Sequence, residues 1–569
     1  MKKGRVILIF VIMIIMGAAV IGRLIDIQII KGDLYKALAS GQQKDFKPIT
    51  GERGDIFFKD GEILATNMNA KYLFVSPNSI NEKEKIANSL SEIFQLDQEE
   101  ILKKLKKDSS FERIDVNLTE EKEEVLKQAN LNGVYLGKAS FRKYPQGEIA
   151  SQVIGFLGGE NKGQYGIEGY YDDILRGKEK FQQTNSVNSF FSRKSVKGAD
   201  IFLTLDYNIQ FTAEKLLEKA KEDWDIEEGQ IIVIEPDTGK ILAMANFPNF
   251  DPNNYSEVED FHIFQNSAIQ KVFEPGSIFK AITMAIALDQ GKVTPQTLYV
   301  DTGKVEIGRY FIANYNNHVF GEQTMTQVLE KSINTGAVFA ERELGHELFL
   351  KYLDKLAFFE PTGIDLQEEI FSENKEFKNG YEINFATASF GQGIEMTPMQ
   401  FARAFCVIAN GGKLIKPYIV EKIVQNDRVI KAPAINGLDG DSQEEDVQQF
   451  APQIISKKSA SQLTAMLVSV IENGQYTTRA KIPGYYVAGK TGTSQVSWSS
   501  LGESKKGYSD KTWQSFAGFV PAFSPKFVIL VKLNNPTTKV AVYSATPIFQ
   551  ELAKYILDYQ EIPSNRDEL

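Results

Sequence analysis

The stretch with the residues for chemistry is Phe273-Glu-Pro-Gly-Ser-Ile-Phe-Lys280. Pro275 and Gly276 mark a turn, and after them Ile278, Phe279, Ile282, Ala285 and Leu288 recur at helical spacing until Gly291, a stop signal. Ser277 therefore stands at the mouth of an apolar helix, with Lys280 one turn on and on the same face. A serine hydroxyl is a poor nucleophile until a base takes its proton, and a lysine is that base only when burial lowers its pKa. The apolar residues around Lys280 can supply the burial. Ser-x-x-Lys is a cheap pattern, since Ser372-Glu-Asn-Lys375 repeats it in a polar stretch with no apolar helix behind it. Two further patterns follow in order. Ser332-Ile-Asn334 falls in a break between helical runs, and Lys490-Thr-Gly-Thr493 falls on a strand. Ser79-Ile-Asn81 repeats the first, whereas Lys-Thr-Gly-Thr occurs once. Taken singly, Ser332 and Asn334 read as turn residues and Lys490 as a strand-edge charge.

Other chemistries lack their residues. His262, His318 and His346 are isolated, so nothing points to a zinc cage or a Ser-His-Asp triad, and neither metal nor cofactor is expected. Cys406, the single cysteine, excludes an intramolecular disulfide and sits in an apolar helical run as a small core residue. A net charge of −10 gives no basic footprint for nucleic acid.

The elements that must position these residues begin at the amino terminus. Lys2, Lys3 and Arg5 precede an uncharged apolar run over 6–22, about 26 Å as a helix, near the short end of what spans a bilayer. A cleaved signal peptide is the alternative, but the run continues past Gly17-Ala-Ala19, and Arg23 to Ile30 reads as the helix carrying on. A signal anchor with a cytoplasmic amino terminus and an extracytoplasmic remainder is favoured. From about Gln42 to Lys197 the texture is mixed: two short strands around Asp60-Gly61, capping boxes at Asn81 and Asp97, and no catalytic pattern. A change at Gly198 opens a helix over 209–220 and two apolar strands joined across Pro236-Asp-Thr-Gly239. Helical patterns follow over 324–344, 346–356 and 397–410, then an acidic loop at 437–446. Strands over 485–493, 515–520 and 527–533 form a meander with a polar loop at 494–514, and a last helix starts at Thr546 or Pro547. Strands at both ends with helices between predict one domain whose sheet takes strands from both ends of its segment. The chain ends in Arg-Asp-Glu-Leu, read as coincidence rather than a retention signal.

Serine helix, Ser-x-Asn turn and Lys-Thr-Gly strand, in that order, match the signature of penicillin-recognising serine acyl enzymes. The chain resembles class B penicillin-binding proteins, membrane-anchored D,D-transpeptidases that cross-link peptidoglycan. The resemblance extends to Arg53-Gly-Asp-Ile56, Arg142 with Tyr144-Pro145, Gly166-Ile-Glu-Gly169, Leu203-Thr-Leu-Asp206, Met244 with Pro248, Glu274-Pro-Gly-Ser277, Thr362-Gly-Ile-Asp365, Gly391-Gln-Gly393 and Thr397-Pro398. It departs at Phe58-Lys-Asp-Gly61, where the family has Asp-Arg-Asn-Gly, and at Tyr170, where it has Glu. The fold implied is multidomain α+β: cytoplasmic tip and transmembrane anchor (1–23), mixed α/β pedestal or dimerisation-type module (24–197), and transpeptidase domain of antiparallel sheet flanked by helices (198–569).

The resemblance also implies roles. Ser277 would attack the penultimate D-Ala carbonyl of a stem peptide with Lys280 as base, and Ser332 would pass a proton to the leaving amine. Lys490 would help lower the local pKa values, and Asn334 would hold the donor's amide. Lys490, Thr491 and Thr493 would bind the terminal carboxylate, and Gly492 would let the strand lie close to the substrate. The N–H groups of Ser277 and Thr493 would form the oxyanion hole. β-Lactams would acylate Ser277, and a SEDS-type membrane glycosyltransferase and other cell-wall or division proteins would be partners at a bacterial cell membrane. The same site could serve a D,D-carboxypeptidase or a β-lactamase if water resolves the ester, or a non-catalytic β-lactam sensor or division scaffold.

Overall fold

The strand-forming runs pair into one antiparallel sheet. Its strands are Glu228–Ile234 (β1), Ile241–Phe247 (β2), Ala488–Ser497 (β3), Tyr508–Val520 (β4) and Phe527–Asn534 (β5), in spatial order β2-β1-β5-β4-β3. The sheet does draw on both ends of its segment: β1 pairs with β5 from Glu228↔Asn534 to Ile234↔Val528. Gly239, at φ +85°, closes the β1–β2 hairpin, and its N–H donates to Glu235 O at 2.9 Å. The apolar runs show no alternation because helices cover both faces. Phe516 packs on Phe549 at a centroid distance of 4.4 Å, while Phe519, on the opposite face, meets Phe405 at 5.9 Å.

The helices that matter are Tyr207–Trp224 (α1), Lys280–Asp289 (α2), Met325–Glu330 (α3), Asn334–Leu344 (α4), Pro398–Ala409 (α5), Lys457–Asn473 (α6) and Ala545–Tyr559 (α7). Their starts follow their residues. Asp206 caps α1 by accepting from the N–H groups of Asn208 and Ile209, and Thr397 and Gln400 form a reciprocal capping box ahead of Pro398 at the start of α5. Cys406 is buried in α5, where its surroundings push the thiol pKa well up, as a core residue.

The computed structural model describes residues 2–26, 52–114, 118–159, 161–180, 194–426, 428–430, 451–474 and 477–566, with positions 28, 31 and 116. The acidic stretch 437–446 and the last three residues of the Arg-Asp-Glu-Leu ending lie outside the described residues. The chain forms two units: Met1–Arg53, Asn67–Lys143 and Gly177–Lys197 in one, Gly54–Thr66, Tyr144–Arg176 and Gly198–Leu569 in the other. Thus two stretches that the sequence reading groups in a 24–197 module pack with the sheet-bearing unit. Ile56–Phe57 pairs in parallel with Asp200–Leu203, and Gly54 N–H donates to Leu175 O at 2.8 Å. The other unit has its own small core, including Leu73, Leu90, Ile101 and Leu105. There Asp97 caps its helix through Glu99 N–H, whereas the helix after Asn81 starts at Lys83 with no side-chain cap.

The amino-terminal run is helical over Lys2–Ile25, past Gly22. Its side chains are described from Ile12 onward, and among the described residues no helix is long and apolar enough to cross a membrane.

Candidate active site

Ser277 lies in a 3₁₀ turn, Gly276–Phe279, that leads directly into α2. The turn is held from outside: Gly276 N–H donates to Gly391 O at 2.9 Å, and Ser494 Oγ on β3 donates to Glu274 O at 2.8 Å. Gly276 has φ +59°, a conformation that favours glycine. Lys280 starts the helix fully buried among apolar residues, at 1% exposure.

The helical pattern over 324–344 is two helices, parted at the break where Ser332-Ile-Asn334 falls. Thr324 caps α3 with Gln327 in a reciprocal box, the helix ends at Lys331, and Ser332 takes φ +55° before α4 begins at Asn334. A non-glycine residue held at positive φ is strained and is characteristic of functional turns. This break aims Ser332 and Asn334 back at α2.

Three of the sequence-predicted side chains converge on Lys280. Its Nζ lies 3.0 Å from Ser277 Oγ, 3.1 Å from Ser332 Oγ, 2.7 Å from Ser332 O and 2.7 Å from Asn334 Oδ1. Lys490 Nζ donates to Ser332 Oγ at 3.0 Å and to Thr491 O at 3.3 Å, so one hydroxyl bridges two lysines. No carboxylate bonds to either amine among the described residues. Burial first, and the neighbouring Lys490 second, push the Lys280 pKa well below the usual lysine range, and burial brings Lys490 down to about 7. The Ser332 carbonyl and Asn334 Oδ1 can only accept, so they take the two N–H groups of a neutral amine. Its lone pair is then left for a hydroxyl, and Ser277 stands within reach to donate to it.

Thr491 and Thr493 are half-buried on the other face of β3, an edge strand. Thr493 Oγ1 accepts from Ala541 N–H at 3.2 Å, leaving its O–H to donate. Gly492 serves the protein's own packing: a Cβ there would meet Pro275 O at 2.9 Å and Ile278 Cγ2 at 3.0 Å, so the nucleophile turn rests on bare strand. The decoys separate cleanly. Lys375 is 81% exposed and paired with Glu373, and Ser79 Oγ meets Ser76 Oγ far from either lysine in the chain.

Two carboxylates position the site: the sequence reading missed Asp301 and quoted Glu274 only within a family motif, with no role. Asp301 accepts from Thr335 Oγ1 (2.7 Å), Phe320 N–H (2.7 Å), Gly303 N–H (2.9 Å) and Asn314 Nδ2 (2.9 Å), which locks the hairpins over 298–324 onto the start of α4. Burial opposes its ionisation, but these bonds outweigh it and hold its pKa low. From that segment Ala313 O accepts Asn334 Nδ2 at 3.0 Å, which turns Oδ1 toward Lys280. Glu274 is buried, which raises its pKa to about 7 against the bonds from Gly393 N–H and Tyr508 O–H, the latter at 3.0 Å. No pattern in the sequence singles out Asp301, whereas Glu274 stands in the Glu274-Pro-Gly-Ser277 match to the family, three residues before the nucleophile.

Known proteins share this architecture. A family model described as penicillin binding protein transpeptidase domain matches residues 229–554, and one described as penicillin-binding protein dimerisation domain matches 48–201. Stage V sporulation protein D of Bacillus subtilis is 32% identical over 535 residues, covering 90% of this chain and 79% of that protein. A probable peptidoglycan D,D-transpeptidase of Pseudomonas aeruginosa is 29% identical over 559 residues, covering 94% and 91%. In fold, the chain is similar to penicillin binding protein 3 of Mycobacterium tuberculosis complexed with aztreonam, with a TM-score of 0.68 at 24% identity over 91% of this chain and 98% of that one. With the transpeptidase match alone spanning more than half of its length, and a dimerisation module in front, the chain belongs to the class B penicillin-binding proteins.

Proposed function

We propose that the protein is a peptidoglycan D,D-transpeptidase working through an ester on Ser277. The observation that carries this is the desolvated Lys280 amine, 3.0 Å from the Ser277 hydroxyl, with no carboxylate among the described residues to hold it protonated. Ser277 Oγ attacks the carbonyl of the penultimate D-Ala while Lys280 Nζ takes its proton. The N–H groups of Ser277 and Thr493 receive the developing oxyanion; losing one such donor typically costs about 3–4 kcal/mol of barrier. The tetrahedral species collapses with cleavage of the C–N bond. Ser332, bonded to both lysines, gives its proton to the departing amine and is reprotonated from Lys280. Asn334 orients the donor amide, and Lys490, Thr491 and Thr493 hold the terminal carboxylate, for which a cation and two hydroxyls are suitable partners. An amine of a neighbouring stem then attacks the ester, and its proton returns through the same groups as Ser277 is released. A β-lactam enters by the same first step, but its leaving nitrogen stays tethered, so the acyl group persists.

The setting completes the reading. The helix Lys2–Ile25, with Lys2, Lys3 and Arg5 ahead of its apolar run, supports a signal anchor that puts the catalytic unit outside the cell membrane. The anchor and the module in front meet a SEDS-type glycosyltransferase. Mass spectrometry after benzylpenicillin treatment tests the core of the proposal. An adduct of intact drug mass on the Ser277 peptide, stable for hours and absent in Ser277→Ala, is expected. Rapid turnover of the drug makes the protein a β-lactamase, and an adduct elsewhere, or persisting in Ser277→Ala, removes the proposed nucleophile.

A further inference from the structure

Beyond the catalytic group the sheet-bearing unit holds a cleft of about 860 Å³ that includes none of Ser277, Lys280, Ser332, Asn334 or Lys490. It opens at the far end of β3. Lys490, Gly492, Ser494 and Val496 alternate onto one face of that strand, and Val496 lines the cleft. Six residue steps separate Lys490 from Val496, roughly 20 Å of strand, and three separate Thr493 from it, roughly 10 Å. Another wall is Gln270-Lys-Val272, which runs straight into Glu274-Pro-Gly-Ser277.

Six charged side chains line the cleft, and four neutralise one another. Lys271 pairs with Glu228, and Lys511 Nζ lies 2.6 Å from Glu227 Oε1. Glu395 and Lys532 have no ion pair among the described residues. The Glu395 carboxylate accepts one bond, from Ser372 Oγ at 3.3 Å. Lys532 is only 3% exposed, yet its Nζ meets neutral acceptors alone, Gln230 Oε1 at 3.0 Å and Asn534 Oδ1 at 2.7 Å. It also lies over the rings of Phe273, at 5.4 Å, and Trp513, at 5.9 Å. The two groups flank one segment, because Met396, next to Glu395, exchanges backbone hydrogen bonds with Phe273. A buried ammonium is costly: the Glu228 carboxylate acts on Lys532 only through space, burial still brings its pKa down to about 8, and an anion arriving at Nζ offsets that desolvation.

We propose that this cleft is a subsite for the part of a substrate stem peptide remote from its D-Ala end, binding a free amine at Glu395 and a carboxylate at Lys532. The inference rests on the transpeptidase reading and deepens it. A donor extended along β3, with its terminal carboxylate at Thr491 and Thr493, reaches the cleft with about three further residues at ~3.3–3.6 Å each. Benzylpenicillin carries no such extension.

The test uses the full chain and two pentapeptides ending in D-Ala-D-Ala, one with lysine and one with norleucine as third residue. Release of D-Ala gives kcat and KM for each, with benzylpenicillin acylation measured in parallel. The wild type is expected to favour the lysine peptide by roughly tenfold or more in kcat/KM, through KM, as for one hydrogen bond to a charged group. Glu395→Gln is expected to erase that preference and leave benzylpenicillin acylation within about twofold, the range in which the group makes no contact with the drug. Glu395→Lys, a second half-buried change, should invert the preference. Equal use of both peptides by the wild type, a preference that survives Glu395→Gln, or a matching loss of benzylpenicillin acylation each overturns the subsite. A wild type that benzylpenicillin does not acylate overturns the transpeptidase reading together with the subsite.

Discussion

Lys280 is basic because of what surrounds it: apolar side chains that desolvate it and a second lysine, both of which disfavour its ammonium form. Its amine must be neutral to take the Ser277 proton. Acylation is therefore expected to fall as pH drops through the lowered Lys280 pKa and to level off above it. Asn334→Asp tests this at one atom. The Oδ1 position is 2.7 Å from Nζ, and a carboxylate there favours the ammonium, raising the Lys280 pKa by about 1–3 units. The acid limb of the penicillin acylation profile should move to higher pH by that amount, with about tenfold slower acylation per unit below it. An unmoved limb in Asn334→Asp would mean that Lys280 is not the base. These residues were legible in the sequence because each belongs to a local pattern, Ser277 and Lys280 on successive turns of one helix. Asp301 was not, and of Glu274 only its motif was, since their partners lie up to 34 and 234 residues away and no spacing announces those bonds.

At the scale of elements, the site is three backbone segments pressed together: the 3₁₀ turn of Ser277, the Ser332 break between α3 and α4, and the edge strand β3. Gly492 is where the turn meets the strand. Gly492→Ala places a Cβ 2.9 Å from Pro275 O, a backbone atom that cannot swing aside as a side chain does. The turn must then retreat from β3, carrying Ser277 away from the Thr493 N–H. Overpacking of this kind costs about 1–3 kcal/mol of stability. A displacement near 1 Å at a nucleophile costs on the order of a hundredfold in rate. Acylation by benzylpenicillin should thus fall about a hundredfold while thermal melting shows a folded protein. Acylation at the wild-type rate would show that the turn is free of the strand. Where elements begin and stop was readable from caps and glycines, as at Thr397 and Gly411-Gly412. The length of the β3–β4 ribbon was not: β3 runs to Ser497 and β4 starts at Tyr508, through residues read as a polar loop. Their alternation, with Ser494 and Val496 buried and Gln495 exposed, is real but is carried by serines and glutamines rather than by apolar side chains.

For the whole molecule, the informative fact is that the catalytic fold does not start where the composition changes. Gly198 opens a new texture in the sequence, but Gly54–Thr66 and Tyr144–Arg176 belong to the same unit as the sheet. Ile56, Phe58, Leu64, Ala65, Ile154, Ile167 and Leu175 are all at most 1% exposed and share one core with Ile201, Leu203 and Leu205. Composition could not reveal this, because a chain that leaves a unit and returns to it keeps the local patterns of both. The consequence is measurable. Burying a large apolar side chain contributes about 1.5–3 kcal/mol, so losing these residues, all large but Ala65, removes an amount comparable to the entire ~5–15 kcal/mol by which a domain is stable. A fragment of residues 198–569 is expected to aggregate or to lack a cooperative melt, and to take up no fluorescent penicillin. Residues 52–569, which keep every segment of the unit, should melt cooperatively and be acylated at the full-length rate. A 198–569 fragment that melts and acylates like 52–569 would show that the two returning segments decorate the catalytic core rather than complete it.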